Sequence, residues 1–388
     1  MTNKERTLRL ISRQEVDYLP SQITFSDRTR DKEISNALGL ASADDLDGFL
    51  NNHIQISLTC HDTSVFFRND EALMLDLQAR GYLGVDLEDG IVYDSWGTGI
   101  KMHIDGFFIP FGCFMGDKQK NARAEKFLPP DFDRGILHMD LEDAIRHYKT
   151  PDMRKAGNFD PIAADLKKYT GGEFLVLPSG YFGIGERALA MLGWEQYMLE
   201  LALRPKLIGE LMDKITDCKI EDAKAKVALG IQVAHHGEDL GIQNTTFFSR
   251  KMFQEIYKPR LARLFKVYKD AGLPVVMHSC GCITEFLPDL IEIGLDILEP
   301  VQPCMDLEFI KKEYGKDLIF WGGINTQDLP YMTPEQVKTM VTKTIRTLGK
   351  GGGHIIGPSQ EIMNDVPLEN IKAMVETIVS EREKILKS

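Results

Sequence analysis

The chain has no long apolar segment, and this sets the first limits on its function. Among its 388 residues, no uncharged apolar run approaches the roughly 18 residues that a membrane-spanning helix needs. The chain begins Met-Thr-Asn-Lys-Glu-Arg, without the apolar core of a secretory signal. We therefore expect a cytoplasmic protein without a membrane partner.

Positive charge and cysteine are also scarce. The formal net charge is −12 and the basic residues are scattered among acids, so we expect no nucleic-acid partner. Six cysteines in a chain of this length, without a secretory signal, do not predict a disulfide framework. Any cysteine that has a role is therefore expected to serve in thiol or metal chemistry.

The order of the apolar segments predicts an α/β fold. After about residue 160, six apolar strands alternate with helices, which is typical of a parallel sheet covered by helices. A (β/α)8 TIM barrel fits best, with two earlier strands in the amino-terminal half, and a doubly wound open sheet is the alternative. No glycine-rich dinucleotide or phosphate-binding motif opens the pattern, which counts against a nucleotide-binding sheet.

The amino-terminal part of the chain has a less regular pattern. We expect one domain over residues 1–388, with residues 1–80 as an irregular amino-terminal extension or cap. The passage from Gly84 to Gly112 alternates and contains turn residues, which predicts one or two hairpins. It leads into a segment rich in Phe and Met, from Phe107 to Met115, which we interpret as a satellite core or as the apolar wall or lid of a site.

An imidazole and a thiol stand two residues apart at the end of an apolar run, in the segment Val275-Val-Met-His278-Ser-Cys280-Gly281. Two residues are one strand period, so both side chains point to the same side. The pattern predicts a strand, a turn and a helix, which places His278 and Cys280 at the carboxyl end of a strand. In α/β barrels and open α/β sheets, the catalytic and ligand-binding residues lie at this edge.

Acidic residues follow the neighbouring strands of the same predicted sheet. Glu238 and Asp239 follow one strand, and Glu299 ends another. His278, Cys280 and Glu299 offer one nitrogen, one sulfur and one oxygen donor, a set that suits Zn2+ and leaves a coordination position for a substrate. A buried pair with ordinary packing and hydrogen bonds is the alternative for His278 and Cys280. Glu238 and Asp239 are candidate catalytic residues, because packing seldom explains acids at a strand end.

Several motifs occur in the order found in one known family. From about Leu83 to its end, the chain resembles the uroporphyrinogen decarboxylase superfamily, through the motifs Tyr93-Asp-Ser-Trp96-Gly97, Gly237-Glu-Asp-Leu-Gly241, His278-Ser-Cys280-Gly281, Asp296-Ile-Leu-Glu299, Trp321-Gly-Gly-Ile-Asn325 and Gly353-His-Ile-Ile-Gly357. The resemblance implies a (β/α)8 barrel. It also implies one of two activities: decarboxylation of a tetrapyrrole, or zinc-dependent methyl transfer in corrinoid-linked pathways.

Three sequence features bear on the choice between these activities. The decarboxylases carry an arginine-containing amino-terminal segment that grips substrate carboxylates, and this chain has Leu19-Pro-Ser-Gln-Ile-Thr-Phe25 instead. The His-x-Cys pair belongs to the methyltransferase branch, in which a glutamate on the following strand also contacts zinc, and His278, Cys280 and Glu299 match that arrangement. The thiol-methylating members carry a further cysteine after the last strand, where this chain has Pro358-Ser-Gln360-Glu361.

The resemblance and these departures lead to one functional hypothesis. Zinc would polarise the oxygen of an O-methyl donor, such as a methoxylated aromatic compound, and the methyl group would pass to the cobalt of a corrinoid (cobalamin) protein. Glu238 or Asp239 would orient the substrate or handle a proton. Methyl transfer from a methyl-corrinoid to a thiol, a metal-independent decarboxylase, and a non-catalytic corrinoid- or porphyrin-binding module stay as alternatives. The sequence does not fix the oligomeric state, and a homodimer is the assembly that we consider.

Overall fold

The structure of the protein is a computed structural model that describes residues 1–387, apart from the side chain of Asp44. Two parallel sheets hold the strands of the central layer. One contains five strands in the order β11-β10-β9-β8-β7, and the other pairs β1 with β6. The strands in chain order are β1 (Ile54–Ser57), β2 (Gly84–Asp86), β3 (Ile91–Tyr93), β4 (Thr98–Lys101), β5 (Phe111–Gly112), β6 (Leu175–Pro178), β7 (Ala234–Gly237), β8 (Val275–His278), β9 (Ile297–Val301), β10 (Ile319–Ile324) and β11 (His354–Pro358).

Backbone contacts close the two parallel sheets into a barrel. Just beyond β6, the carbonyl of Gly180 accepts the N–H of Gly237 in β7 at 2.9 Å. On the opposite side, Ser21 forms parallel bridges both to Asn52, which precedes β1, and to Ile356 in β11. The segment around Ser21 thus fills the eighth position, between β11 and β1. This arrangement is the predicted (β/α)8 barrel.

The amino-terminal segment differs from the sequence expectation in one respect. We expect an extension or cap over residues 1–80, yet β1 and the segment around Ser21 lie inside this range and belong to the barrel sheet. Their buried backbone groups need partners, which β6 and β11 supply. Residues 1–80 are therefore not an extension throughout, and they provide the two early strands that the barrel requires. The single-domain organisation stays a prediction.

Helices follow most of the barrel strands, as predicted. Helix α16 begins with a capping box, in which the Gln336 side chain accepts the N–H of Thr333 at 2.8 Å. Within the described part of the chain, no helix is long and apolar enough to cross a membrane. The α-helices are α1 (Asn3–Ile11), α2 (Asp31–Leu38), α3 (Leu46–Leu50), α4 (Ser64–Phe67), α5 (Glu71–Ala79), α6 (Lys118–Ala124), α7 (Leu141–His147), α8 (Asp160–Lys168), α9 (Gly185–Leu192), α10 (Trp194–Leu203), α11 (Pro205–Ala228), α12 (Arg250–Met252), α13 (Lys258–Asp270), α14 (Leu287–Glu292), α15 (Leu307–Tyr314), α16 (Pro334–Gly349) and α17 (Leu368–Glu381).

Short non-α segments complete the helical elements. A π-helical turn covers Phe253–Tyr257 and joins α12 to α13. This turn makes the helical segment from Arg250 to Asp270 irregular in its geometry. The 3-10 segments are Arg28–Arg30, Ala43–Asp45, Arg134–His138, Thr284–Phe286, Pro303–Met305, Leu329–Tyr331 and Lys384–Lys387.

An antiparallel sheet lies beside the barrel. Strands β2, β3, β4 and β5 pair in this order, which confirms the predicted hairpins. Just after β5, the N–H of Phe114 donates to the carbonyl of Met191 in α9 at 2.9 Å. Because α9 follows barrel strand β6, this contact fixes the sheet next to the mouth of the barrel. The loop between β4 and β5 carries Phe107 and Phe108, both partly exposed.

Strand alternation decides which side chains enter the barrel. In β8, Val275 and Met277 belong to the core that contains the surrounding helices, whereas Val276 packs with Ile297 and Ile319 of the neighbouring strands. His278 lies two residues after Val276 and therefore faces the same interior side. The alternation along β8 thus places the His278 imidazole inside the barrel, at its carboxyl end.

Candidate functional site

The loops after β7 and β8 touch each other at the barrel mouth. Gly281 has a φ of +87°, and a Cβ built on it would lie 2.1 Å from the backbone of Gly241. Only glycine allows this combination of left-handed backbone and close approach. The contact brings Asp239, which follows β7, next to Cys280, which follows β8.

Three side chains of different chemistry meet at this contact. The Sγ of Cys280 and the Oδ1 of Asp239 each lie 3.6 Å from Nε2 of His278. The same Asp239 oxygen accepts the backbone N–H of Cys280 at 2.8 Å, which holds the carboxylate in place. One ligand atom from each residue lies within 4.8 Å of the other two. We call Asp239, His278 and Cys280 the donor group.

The spacing of the donor group fits a tetrahedral metal ion. With zinc bonds of about 2.0–2.3 Å, neighbouring ligand atoms in a tetrahedron stand roughly 3.3–3.6 Å apart. The two 3.6 Å separations at Nε2 match that spacing, and the sulfur and the carboxylate oxygen lie within 4.8 Å of each other. One nitrogen, one sulfur and one oxygen donor suit Zn2+ and leave a fourth position for a substrate. The group contains neither Cys282 nor Cys304.

Glu299 contacts the other nitrogen of the same imidazole. Its Oε2 lies 2.7 Å from Nδ1 of His278, and Glu299 is not part of the donor group. A carboxylate on Nδ1 holds a proton there, so Nε2 is the nitrogen that would bind a metal once it gives up its own proton. The structure thus places Glu299 where it orients a ligand, and it places Asp239, which the sequence analysis treats as catalytic, among the donors.

Burial and neighbouring charges tune the two residues of the His-x-Cys pair. Burial raises the pKa of the Cys280 thiol to about 11, and the Asp239 carboxylate adds to the increase. Burial alone would lower the pKa of His278, but Glu299 and Cys280 outweigh it and raise the pKa well above its usual value. A thiol that ionises so reluctantly is a weak nucleophile. Metal coordination deprotonates a thiol outright, so the pair is better suited to hold a metal than to attack a substrate.

The Glu238 carboxylate binds backbone N–H groups at the start of a helix and is not part of the donor group. Glu238 is fully buried, and its carboxylate accepts the N–H groups of Ile184, Gly185 and Glu186 at 2.5, 3.1 and 2.7 Å. It therefore caps the amino terminus of α9, where a negative charge is stabilising. The two adjacent acids that the sequence analysis treats alike thus point to different places: Glu238 to a helix end and Asp239 to the donor group.

An aromatic cavity of about 250 Å3 opens beside Asp239. Its walls come from the loop after β4, the segment after β6, helices α9 and α10, and the segment after β7. Phe107 and Ile109 belong to the apolar segment that the sequence analysis interprets as a satellite core or a wall, and here they act as a wall. The aromatic side chains that line the cavity are Phe107, Tyr181, Phe182, Trp194, Tyr197, Phe247, Phe248 and Tyr257.

Glu186 brings a carboxyl group into the aromatic cavity, and sequence reasoning missed it. It lies in the first turn of α9 and lines the cavity together with Asp239. Burial raises its pKa to about 8, and the charges of Asp239 and Glu238 contribute. The raised pKa favours the protonated form of this carboxyl group. No strand-end pattern marks this position, although the segment Gly183-Ile-Gly-Glu186 does carry the glycines of a tight turn before a helix.

A second, more open cavity is lined by another member of the donor group. It has a volume of about 570 Å3, and Cys280, Gln302, Asn325 and Gln360 line it from four different strand ends. Tyr331, which also lines it, is 85% exposed. The donor group thus touches both cavities: Asp239 lines the small aromatic one, and Cys280 lines the large open one.

Tyr181 lies between the donor group and the barrel interior. Its ring contacts His278 with the centroids 5.8 Å apart and His235 at 5.3 Å. Burial lowers the pKa of His235 well below its usual value, and its Nδ1 accepts the N–H of Gly180 at 3.1 Å. His235 is therefore neutral and carries its proton on Nε2. The sequence analysis singles out neither residue as a site.

The chain is similar in sequence to known proteins of two different activities. A uroporphyrinogen decarboxylase of Psychromonas ingrahamii is 26% identical over 45% of this chain and 48% of its own length. A methylated-thiol--coenzyme M methyltransferase of Methanosarcina mazei is 26% identical over 44% of this chain and 44% of its own length. The chain thus spans about half the length of these two relatives.

A solved structure supports the fold over the whole chain. A methyltransferase from Methanosarcina mazei superposes with a TM-score of 0.62 and 16% identity, covering 98% of this chain and 99% of that one. The family model described as Uroporphyrinogen decarboxylase (URO-D) matches residues 187–380, which include the whole donor group. The chain is a (β/α)8 barrel protein that belongs to the uroporphyrinogen decarboxylase (URO-D) family.

Proposed function

We propose that the protein is a zinc-assisted, corrinoid-dependent methyltransferase that takes the methyl group of a methoxylated aromatic compound and passes it to the cobalt of a corrinoid protein. One observation carries the proposal: the donor group contributes Asp239 to the lining of an aromatic cavity and Cys280 to the lining of a large open cavity. A methyl donor in one cavity and a methyl acceptor in the other would meet at the donor group. The relationship to a named methyltransferase of the same family supports the reaction class.

Different residues of this chain have different roles in the proposed reaction. Asp239, His278 and Cys280 would hold zinc, and Glu299 would orient His278 through Nδ1. Zinc, when bound, supplies Lewis-acid polarisation of an oxygen. The walls of the aromatic cavity orient the ring of the donor and exclude water from it.

Glu186 has the right position to assist the leaving group. Loss of the methyl group leaves a phenolic oxygen with negative charge, which a positioned acid stabilises by giving it a proton. The Glu186 carboxyl lines the cavity beside Asp239, and burial raises its pKa. We propose that Glu186 donates a proton to the leaving oxygen.

The size and composition of the aromatic cavity favour a donor with a single ring. Ligand cavities for drug-sized molecules occupy about 300–1,000 Å3, and this one has about 250 Å3. Its lining residues include neither Arg nor Lys, and the same is true of the large open cavity. A carboxylated tetrapyrrole needs cationic partners for its carboxylates, so this lining does not favour the decarboxylase activity of the other named relatives.

The content of the donor group favours an oxygen-bound methyl group over a thiol. The described residues bring only one sulfur to it, from Cys280. A metal with fewer sulfur ligands retains more positive charge and polarises an oxygen more strongly. Methyl transfer from a methyl-corrinoid to a thiol remains the second candidate, because the named methyltransferase relative acts on methylated thiols.

Metal analysis and turnover test the proposal together. We expect one zinc per chain in the wild type, loss of zinc in His278→Ala and in Cys280→Ala, and retention in the matched control Cys282→Ala. Methoxybenzenes with cob(I)alamin should give methylcobalamin, whereas thiols with methylcobalamin should react slowly. A folded wild type that binds no zinc, or that only releases carbon dioxide from carboxylated tetrapyrroles, would contradict the proposal.

A further inference from the structure

The sulfur of Cys280 has two side-chain amides beside it. The Nε2 of Gln360 lies 3.0 Å from Sγ, and the Nε2 of Gln302 lies 3.7 Å from it. Both glutamines follow barrel strands: Gln302 comes directly after β9, and Gln360 comes two residues after β11. Their amides therefore approach the sulfur from the side of the large open cavity, which both residues line.

Backbone contacts fix the orientation of both amides. The Oε1 of Gln360 accepts the N–H of Glu361 at 3.0 Å, so its NH2 group is the end that faces the sulfur. The Oε1 of Gln302 accepts the N–H of Gly281 at 2.8 Å, and its Nε2 donates to the carbonyl of Ser359 at 2.7 Å. Neither amide can turn its oxygen towards Cys280 without losing a backbone hydrogen bond.

We propose that Gln360 is a specificity-determining positioning residue, which acts through the sulfur of Cys280 and keeps the metal site at a single thiolate with reduced electron donation. The inference rests on the proposed function, because it requires a metal at the donor group. Gln360 stands in the segment Pro358-Ser-Gln360-Glu361, where the family resemblance described above implies a further cysteine in the thiol-methylating members. In this chain that segment offers the sulfur an N–H donor rather than offering the metal a second sulfur.

The physical effect follows from hydrogen bonding to a metal thiolate. An N–H group that donates to a coordinated sulfur withdraws charge from it, and such hydrogen bonds tune metal sites. Gln360 provides the shorter of the two contacts, and Gln302 adds a weaker one. The metal therefore receives less charge from Cys280 and stays a stronger Lewis acid. Such a site favours an ether oxygen over a thiol as the atom that it binds.

Cobalt substitution measures this effect without relying on activity. Co2+ in place of zinc gives a thiolate-to-metal charge-transfer band whose intensity follows the number of sulfur ligands and whose energy follows their donor strength. In Gln360→Leu we expect the band to keep its intensity and move to lower energy, because the sulfur loses its hydrogen bond. In Gln360→Cys we expect about twice the intensity. Gln243→Leu, which alters another glutamine of the same cavity, should leave the spectrum as in the wild type.

The possible outcomes separate the inference from the proposed function. A wild type that binds no Co2+ would overturn both. Binding of Co2+ with the same band energy in the wild type and in Gln360→Leu would overturn the inference alone. Thermal unfolding of each variant shows whether it is folded, and Gln360→Glu, which keeps the size but cannot donate, should shift the band in the same direction as Gln360→Leu. A Gln360→Glu spectrum identical to that of the wild type would also contradict the inference.

Discussion

At the scale of single residues, the two nitrogens of the His278 imidazole have different partners. Its Nδ1 faces the Glu299 carboxylate at 2.7 Å, while its Nε2 faces Cys280 and Asp239. The sequence analysis assigns Glu299 to the metal as an oxygen donor. It could not predict the contact with Nδ1, because spacing along a chain does not show which ring nitrogen a carboxylate will reach. Its direct role as a ligand stays a prediction, and the structure supports Asp239 in that place.

Substitution of the two carboxylates distinguishes a ligand from an orienting residue. We expect Glu299→Gln to weaken zinc affinity by about 10- to 100-fold, as the loss of an orienting carboxylate does, while zinc at saturation stays at one per chain. Asp239→Ala should lose stoichiometric zinc even at saturation. Competition with a chromophoric chelator measures both. The opposite ranking, with zinc lost only in the Glu299 variant, would restore Glu299 as a ligand.

The Glu186 carboxyl provides a second prediction at this scale. Loss of a general acid costs about 10²- to 10⁴-fold in rate, so Glu186→Gln should lower kcat within this range on methoxybenzenes with poor leaving groups. The loss should be smaller when the leaving oxygen is acidic, as in a nitro-substituted donor, and zinc content should not change. Glu195→Gln, at an exposed glutamate in the first turn of α10, is the control. An equal loss on all donors would contradict an acid role.

At the scale of elements, the candidate site residues lie at or just after the carboxyl ends of the barrel strands. This general rule for barrels made much of the site predictable. The strand period at the end of β8 predicted that His278 and Cys280 share one side. Of the two acids after β7, Asp239 reaches the same site and Glu238 does not. The aromatic cavity was not predictable, because its walls come from loops and helices that are distant in sequence, such as Phe107, Trp194 and Phe248. No periodicity relates these positions, and only the tertiary packing brings them together.

Glu238 is the clearest test of an element-level role. Its carboxylate satisfies three N–H groups at the start of α9, a segment that also carries Glu186. Glu238→Ala leaves these buried donors unpaired, and with about 1–3 kcal/mol for an unsatisfied buried group, we expect a loss of roughly 2–4 kcal/mol in the free energy of unfolding. Urea denaturation measures it. A variant with wild-type stability and no activity would instead support the catalytic role that the sequence analysis assigns to Glu238.

At the scale of the whole molecule, the barrel depends on its amino-terminal segment. Ser21 joins β11 to β1, and nearby residues anchor α1 to the same region. Arg6 in α1 is 3% exposed and donates to both carboxylate oxygens of Asp17, at 2.6 and 2.9 Å. The sequence could not predict this closure, because the segment forms isolated bridges rather than an apolar strand with a visible period.

The ion pair between Arg6 and Asp17 makes the free energy of unfolding depend on pH in the acidic range. Hydrogen bonds from Arg6 lower the pKa of Asp17 from 3.8 to about 2. A carboxyl with a lowered folded-state pKa contributes stability above its unfolded value of about 3.9, and this contribution is lost as the pH falls towards the folded value. In urea denaturation, the stability difference between the wild type and Asp17→Asn should therefore shrink as the pH falls below about 4. A difference that does not change with pH would contradict this assignment.

The central proposal is that one imidazole, one thiolate and one carboxylate hold a zinc ion at a site that touches both cavities. X-ray absorption at the zinc edge of the purified wild-type protein tests it most directly. The account predicts one sulfur ligand at about 2.3 Å and nitrogen or oxygen ligands at about 2.0–2.2 Å, with the sulfur contribution absent in Cys280→Ala. Two or more sulfur ligands, or a protein that binds no zinc, would contradict it.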